Sequence, residues 1–275
     1  MKIVKTKTVL KQMKEMSLGA GEILVSHLRN SYKKPIKILD KGPHGLATEA
    51  DILSEKYVIN KIKKLYPDHH ILSEEDAFVK KIKNMGPVDD KYMWLIDPLD
   101  GTNNFYNKLP FFCVSLALVK GNTPLVGVVY NPVTEEWFYA IKGEGAYYER
   151  MLGGKKMKVK LKASGQKKEF IESLLSANLT SKRVEKDLLK KFPQVRAMRR
   201  LGSAALELSY VAAGILDGYW EYRLQPWDIA AAGLICQEAG VKISTIEGKE
   251  FTPFCGSVLA ARTSLYTELK RILVK

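Results

Sequence analysis

At 275 residues with 46% hydrophobic content, the chain can bury a sizeable core as one or two closely packed domains. Its three cysteines, Cys113, Cys236 and Cys255, lack C-x-x-C spacing, which argues against a disulfide framework or thiolate zinc site and reads as buried thiols. The formal net charge is +14, the N-terminus alternates lysine with apolar residues where a signal peptide needs an unbroken core, and the longest apolar runs, such as 111–119, are too short for a bilayer. A soluble cytoplasmic protein without membrane contact is expected.

Apolar spacing predicts helices over 6–28 and 51–65. Between them lies a Lys- and Gly-rich loop, 32–45, read as a segment that moves over the site. A short apolar pair, Ile71-Leu72, follows the helix-breaking Pro67. From 92 to 148 the pattern is a meander, with strands at 92–96, 111–120, 124–131 and 136–142 separated by Gly-Asn and Asn-Pro turns. The first of these is expected to stop before Pro98. Beyond about residue 150, strands at 171–176, 218–222, 242–244 and 258–261 alternate with helices at 183–191, 204–213, 227–240 and 263–273. Helices followed by an antiparallel sheet indicate α+β, and the later alternation reads as layered α/β. The expected halves are 1–150, with most candidate metal ligands, and 151–275, with substrate contacts and one further ligand.

The most informative stretch is Trp94-Leu95-Ile96-Asp97-Pro98-Leu99-Asp100-Gly101-Thr102. An apolar strand ends in two carboxylates three residues apart, hard oxygen donors that suit Mg²⁺ or Mn²⁺ better than zinc. Gly101 and Thr102 then offer close backbone approach and free amides to a phosphate oxygen. Three other acidic stretches support this reading. Asp51 stands at a helix start, where an acidic N-cap is the plain alternative. Ser73-Glu74-Glu75-Asp76 reads either as a solvated acidic loop or as a metal ligand at Glu74. Asp228 lies in the first turn of a small-residue helix opened by Pro226, where the helix dipole would also favour it.

Together with Gly202-Ser203-Ala204-Ala205 and the run from Asp217 to Glu221, these motifs resemble the inositol monophosphatase family of lithium-sensitive, Mg²⁺-dependent sugar phosphatases. That family includes archaeal fructose-1,6-bisphosphatases and SuhB proteins. The resemblance spans nearly the whole chain and implies a layered αβαβα sandwich. It implies that Glu74, Asp97 and the Leu99 carbonyl hold one Mg²⁺, that Asp97 bridges to a second held by Asp100 and Asp228, and that a weaker third ion sits near Glu74. Two or three Mg²⁺ are thus expected, with Mn²⁺ as the alternative ion. A water activated by metal and by the pair Thr102 and Asp51 would attack phosphorus in line, without a covalent enzyme intermediate. The Gly101 and Thr102 amides would hold the phosphate, while Gly202, Ser203, Ala204 and Glu221 would receive sugar hydroxyls.

The resemblance implies a small phosphorylated sugar or polyol as substrate, inositol 1-phosphate or fructose 1,6-bisphosphate, and a homodimer or tetramer. Residues 151–200 contain 15 Lys and Arg against 4 Asp and Glu. This excess reads as a solvated surface, as steering for anionic substrates, or as a nucleic-acid contact. Arg199, Arg200 and Arg223 are candidates for a second substrate phosphate, Arg223 because it stands two residues beyond Glu221 on a common strand face. Two alternatives remain. One is a 3′-phosphoadenosine 5′-phosphate phosphatase, although that branch carries additional sequence between the metal motifs. The other is a SuhB-like RNA or transcription-complex binding protein, although no RNP-type aromatic motif is present.

Overall fold

Spacing of three and four residues places Val9, Met13, Met16, Ala20, Leu24 and Leu28 on the buried face of the opening helix, α1 (Thr6–Asn30). A hairpin follows, β1 (Ile38–Asp40) antiparallel to β2 (Leu46–Thr48). Thr48 then caps α2 (Glu49–Leu65): its side chain accepts the Ala50 and Asp51 amides, and Asp51 accepts the Thr48 amide. Asp51 is therefore the third helical residue, not the cap. The computed structural model describes residues 4–40, 46–80, 86–88, 90–163, 169–178 and 195–274. The expected helix at 183–191 and residues 41–45 of the expected moving loop lie outside these.

The strand β3 (His70–Ser73) leads directly into a short helix, α3 (Glu74–Val79), so Glu74 begins a helix, which removes the solvated-loop alternative for this stretch. β4 (Tyr92–Asp100) corrects a second expectation, because it runs through Pro98. Its register with the next strand shifts between Asp97 and Asp100, and Pro98 occupies that bulge, where no ladder N–H is required of it. The Ser54 hydroxyl holds the bulge by donating to the Pro98 carbonyl at 3.1 Å. Beyond a short helix, α4 (Thr102–Tyr106), the meander comprises β5 (Cys113–Lys120), β6 (Thr123–Asn131), β7 (Glu136–Ile141), β8 (Gly145–Leu152) and β9 (Lys155–Lys160). Residue 150 thus falls inside a strand. The exposed lysines of β9 line the sheet edge, where charge discourages pairing with another chain.

The second sheet begins with β10 (Leu174–Asn178), entered through a 3₁₀ turn at Phe170–Glu172, and β11 (Ala197–Arg199), which sequence reading missed. Then come α5 (Ala204–Ala212), β12 (Gly218–Tyr222), α6 (Pro226–Ala239), β13 (Lys242–Ser244), β14 (Ser257–Ala261) and α7 (Thr263–Val274). Strand order is β3-β4-β5-β6-β7-β8-β9 in the larger sheet and β11-β10-β12-β14-β13 in the smaller. α1 and α2 pack on one face of the larger sheet. α5 and α6 pass between the two sheets, and α7 covers the far side of the smaller one. The architecture is an αβαβα sandwich mixing antiparallel and parallel pairing. Among the described residues no helix is long and apolar enough to cross a membrane. Cys113 and Cys236 are buried free thiols, whereas Cys255 is only partly buried.

Two core layers flank β4, and its side chains alternate between them. Met93 and Leu95 face α5 and α6, whereas Trp94 and Ile96 face α1 and α2. Continuing the alternation sends Asp97 toward α6. That helix approaches the sheet closely because position 127 has no side chain: a Cβ there would lie 2.8 Å from the Ala231 carbonyl oxygen and 2.9 Å from its Cα. Gly127→Ala should therefore force α6 off β6 and destabilise the protein by about 1–3 kcal/mol, read as a lower urea midpoint. An unchanged midpoint would show that the helix yields without cost.

Candidate active site

Backbone register brings the acidic motifs together. β3 and β4 run parallel with Ser73 opposite Ile96, so Glu74 and Asp97 are the next residues along each chain. On the other side Asp97 is opposite Ser115, whose hydroxyl donates at 3.2 Å to the carbonyl of Trp227, the residue before Asp228. Pro226 starts α6 at its first turn, and Asp228 accepts the Gln225 amide at 2.7 Å. Gly101 has φ +97°, and a Cβ there would meet the Phe111 carbonyl oxygen at 3.0 Å, so glycine is required where β4 turns into α4.

The resulting cavity, about 300 Å³, is lined by Leu46, Glu74, Asp97, Leu99, Asp100, Gly101, Thr102, Asn103, Asn178, Gly202, Ala204, Glu221, Leu224 and Asp228. Two wider depressions, near Tyr32 and Lys108 and near Ile23 and Tyr57, gather no such set of carboxylates. Asp51 lies just behind the wall: one carboxylate oxygen holds Thr48, and the other accepts the Thr102 hydroxyl at 3.1 Å. That hydroxyl also lies 3.1 Å from the Leu99 carbonyl, so one proton has two acceptors. Ser203 makes no capping bond to α5. It donates instead to Asp100 at 2.7 Å, and the Ala205 amide reaches the same oxygen at 2.7 Å.

Arg199, Arg200 and Arg223 do not line the cavity. All three are exposed. Arg200 donates to Asn178 at 3.0 Å, and Arg199 turns to the Met198 carbonyl. The face argument for Arg223 fails because β12 ends at Tyr222 and Arg223 takes φ +63°. Three relevant residues escaped sequence reading. Asn178 is paired with Glu221 in the parallel register of β10 and β12. Buried Glu55 accepts the Glu75 amide at 2.9 Å and steadies the start of α3. Glu207 accepts the amides of Leu201, Gly202 and Ser203. Glu55 carried a signal, since it follows Asp51 by four residues on one helical face. The other two depend on contacts distant in sequence.

Burial pushes these carboxyls toward the protonated form, and their mutual repulsion adds to it. Asp97 is raised well above the usual carboxylate range by desolvation, then by the charges of Glu74, Asp100 and Asp228. Asp228 is raised in the same way, with Asp100 its main charged neighbour. Asp100 is pushed up to about 6 by burial, against the opposing bonds from Ser203 and Ala205. Burial likewise takes Asp51 and Glu55 to about 7 and Glu221 to about 8.

These residues fit divalent cations. The cavity wall carries oxygen donors from Glu74, Asp97, Asp100 and Asp228, with no Lys or Arg among its lining residues. Asp97, Asp100 and Asp228 each commit one oxygen to a protein donor, which orients the carboxylate. Among the described residues no three His, Cys, Asp or Glu side chains stand closed around one point as a ligating group. The carboxylates share a wall, and their charge is the argument for the cation.

A model of the inositol monophosphatase family matches residues 5–274. The chain belongs to this family. It is 38% identical to an inositol-1-monophosphatase of Synechocystis, over 94% of this chain and 86% of that one. It is 34% identical to a fructose-1,6-bisphosphatase/inositol-1-monophosphatase of Aquifex aeolicus, over 98% and 96%. Among solved structures, the extragenic suppressor protein SuhB of Bartonella henselae superposes with a TM-score of 0.82 at 31% identity, covering 98% of this chain and 99% of that one. As a member of the inositol monophosphatase family, the protein is a metal-dependent phosphoric monoester hydrolase.

The raised carboxyls have a thermodynamic consequence. Asp51, Glu55 and Glu221 have folded pKa values above their unfolded values near 4, so the folded protein binds extra protons between about pH 4 and 8. Their contribution to stability is therefore present at the acid end and lost as pH rises. Glu149, held at about 2 by bonds from Lys14 and Tyr139 that outweigh its burial, acts oppositely but only at lower pH. In EDTA, the melting temperature should fall by roughly 5 °C or more between pH 5.5 and 8, and Mg²⁺ at pH 8 should restore much of it. A flat profile in EDTA would contradict the raised proton affinity of these buried carboxyls.

Proposed function

We propose that the protein hydrolyses inositol 1-phosphate, fructose 1,6-bisphosphate or both, at the cavity under the end of β4, with Mg²⁺ held by Glu74, Asp97, the Leu99 carbonyl, Asp100 and Asp228. The observation that carries this reading is the Thr102 to Asp51 hydrogen bond beside four carboxylates on one wall. The names of the Synechocystis and Aquifex relatives support these two substrates. Bound divalent cations would supply Lewis-acid chemistry, favouring hydroxide from water, neutralising the phosphoryl group and stabilising the leaving alkoxide.

The chain's own residues supply position and proton handling. Thr102, by donating its proton to Asp51, keeps an oxygen lone pair for a proton of the attacking water. Asp51 is oriented by the Thr48 amide, so the pair is set before substrate arrives. Its raised pKa, caused first by burial, makes it a better proton acceptor than an exposed carboxylate. The amides of Gly101 and Thr102, at the opening of α4, lack an intrahelical acceptor and would bind a phosphate oxygen. Gly202, Ala204 and Glu221 form the sugar end, whereas buried Ser203, expected there from the sequence, spends its hydroxyl on Asp100 and its backbone groups on Glu207. The exposed Arg199, Arg200 and Arg223 are left with at most a role in drawing anionic substrates from solution.

Phosphate release from inositol 1-phosphate, fructose 1,6-bisphosphate and 3′-phosphoadenosine 5′-phosphate, each with Mg²⁺ and with EDTA, tests the substrate assignment. Release from either of the first two, abolished by EDTA, is expected; release only from the nucleotide would overturn the assignment. Asp97→Asn should lower kcat/KM by about 10³-fold or more while the metal-free melting temperature stays level or rises, because one repelling charge is gone. Thr102→Val should lower kcat by about 10²-fold or more with little change in KM. Near-wild-type turnover in either variant would remove that residue from the mechanism.

A further inference from the structure

The polar groups of the turn before α5 are almost fully consumed by the protein itself. Glu207, fully buried on α5, accepts the amide of Leu201 at 3.3 Å, of Gly202 at 3.0 Å and of Ser203 at 3.2 Å. The Ser176 hydroxyl of β10 also reaches its carboxylate. The carbonyls are taken as well: Leu201 accepts from the Asn104 side chain at 2.7 Å, and Ser203 accepts from the Glu207 amide at 2.9 Å. Of the next two amides, that of Ala205 goes to Asp100. Gly202 C=O and Ala204 N–H remain without a partner among the described residues, and both residues line the cavity. One backbone acceptor and one backbone donor thus stand two residues apart, with the Glu221 carboxyl on the same cavity wall.

We propose that Glu207 is a positioning residue that sets substrate specificity: by taking up the turn's amides it reduces the turn to one acceptor and one donor, a pair matched to two neighbouring hydroxyls of a polyol. The inference rests on the polyol-phosphate reading of this cavity and adds the residue that enforces it. A hydroxyl both gives and receives a hydrogen bond, so an adjacent pair of hydroxyls satisfies Gly202 C=O, Ala204 N–H and Glu221 together. Were the three amides free, the turn would be rich in donors and would favour anions over hydroxyls. Glu207 also ties the turn to β10, two residues before Asn178, so the backbone and side-chain parts of the sugar end are fixed to one another.

The test compares Mg²⁺-loaded wild-type protein with Glu207→Gln and Glu207→Ala on two phosphomonoesters, inositol 1-phosphate and p-nitrophenyl phosphate, which has no hydroxyl to offer. Near-ultraviolet circular dichroism first establishes that each variant is folded; the isosteric Gln decides the matter if Ala does not fold. The expected result is a KM for inositol 1-phosphate raised about tenfold in Glu207→Gln and further in Glu207→Ala, with kcat/KM for p-nitrophenyl phosphate within about twofold of wild type. An equal loss on both substrates would overturn the proposal, because Glu207 would then act through Ser203 and Asp100 on the chemistry. No change on either substrate would overturn it too. Failure of the wild-type protein on inositol 1-phosphate, with p-nitrophenyl phosphate still hydrolysed, would overturn the polyol reading itself and this inference with it.

Discussion

Mutual repulsion among buried carboxylates at the end of β4 is the constraint on which this molecule turns. Asp97 and Asp100 on β4, Glu74 on α3 and Asp228 on α6 are brought to one wall by three elements, and the surrounding charges raise the proton affinity of Asp97, Asp100 and Asp228 on top of the cost of burial. A protein relieves such a cluster by protonation or by cations. Rigid supports keep it assembled: a helix cap at Gln225, the Ser203 hydroxyl and Ala205 amide on Asp100, and the Leu99 amide on Asp97 at 2.9 Å. Each support holds one oxygen of a carboxylate and orients the other.

The layered fold is what makes that gathering possible. Central strands covered by helices on both faces are buried on both, so β4 and β5 read as near-continuous apolar runs and cannot be told from helical segments by hydrophobicity alone. Position along the sheet then decides chemistry. The bulge at Pro98 lets β4 bend while staying in the sheet, and glycine at 127 lets α6 approach until its first turn reaches the strand end. Buried polar residues cluster on the α5 and α6 side of this junction, where Glu207, Ser203 and Ser176 complete one another's hydrogen bonds. Such a network is stable only when complete, since an unpaired buried polar group costs on the order of 1–3 kcal/mol.

Positive charge is arranged differently. Among the described residues it is kept out of the cavity lining and includes the lysine-lined edge of β9 and the three exposed arginines outside the pocket. Lys14, Lys156 and Lys158 converge on buried Glu149, so part of the local basic excess compensates an internal acid. The sequence count over 151–200 could not separate these roles, because charge along a chain carries no information about which face it occupies.

Much of the site was legible in sequence because short motifs fix local backbone. Asp97-Pro98-Leu99-Asp100-Gly101-Thr102, Pro226-Trp227-Asp228 and Thr48 to Asp51 each encode a turn or helix start that positions its own carboxylate. Glycine at 101 and proline at 226 announce those turns through backbone constraints that need no distant partner. Other features were settled only when the layers closed. These include the continuation of β4 past Pro98, the pairing of Asn178 with Glu221, the Glu55 contact behind α3, the diversion of Ser203 from capping α5 to holding Asp100, and the exclusion of Arg223 from the strand face. They depend on sheet register and on hydrogen bonds between residues far apart in the chain. Local sequence can state what a residue offers, but burial and the partner that answers it exist only once the strands are paired and the helices are packed.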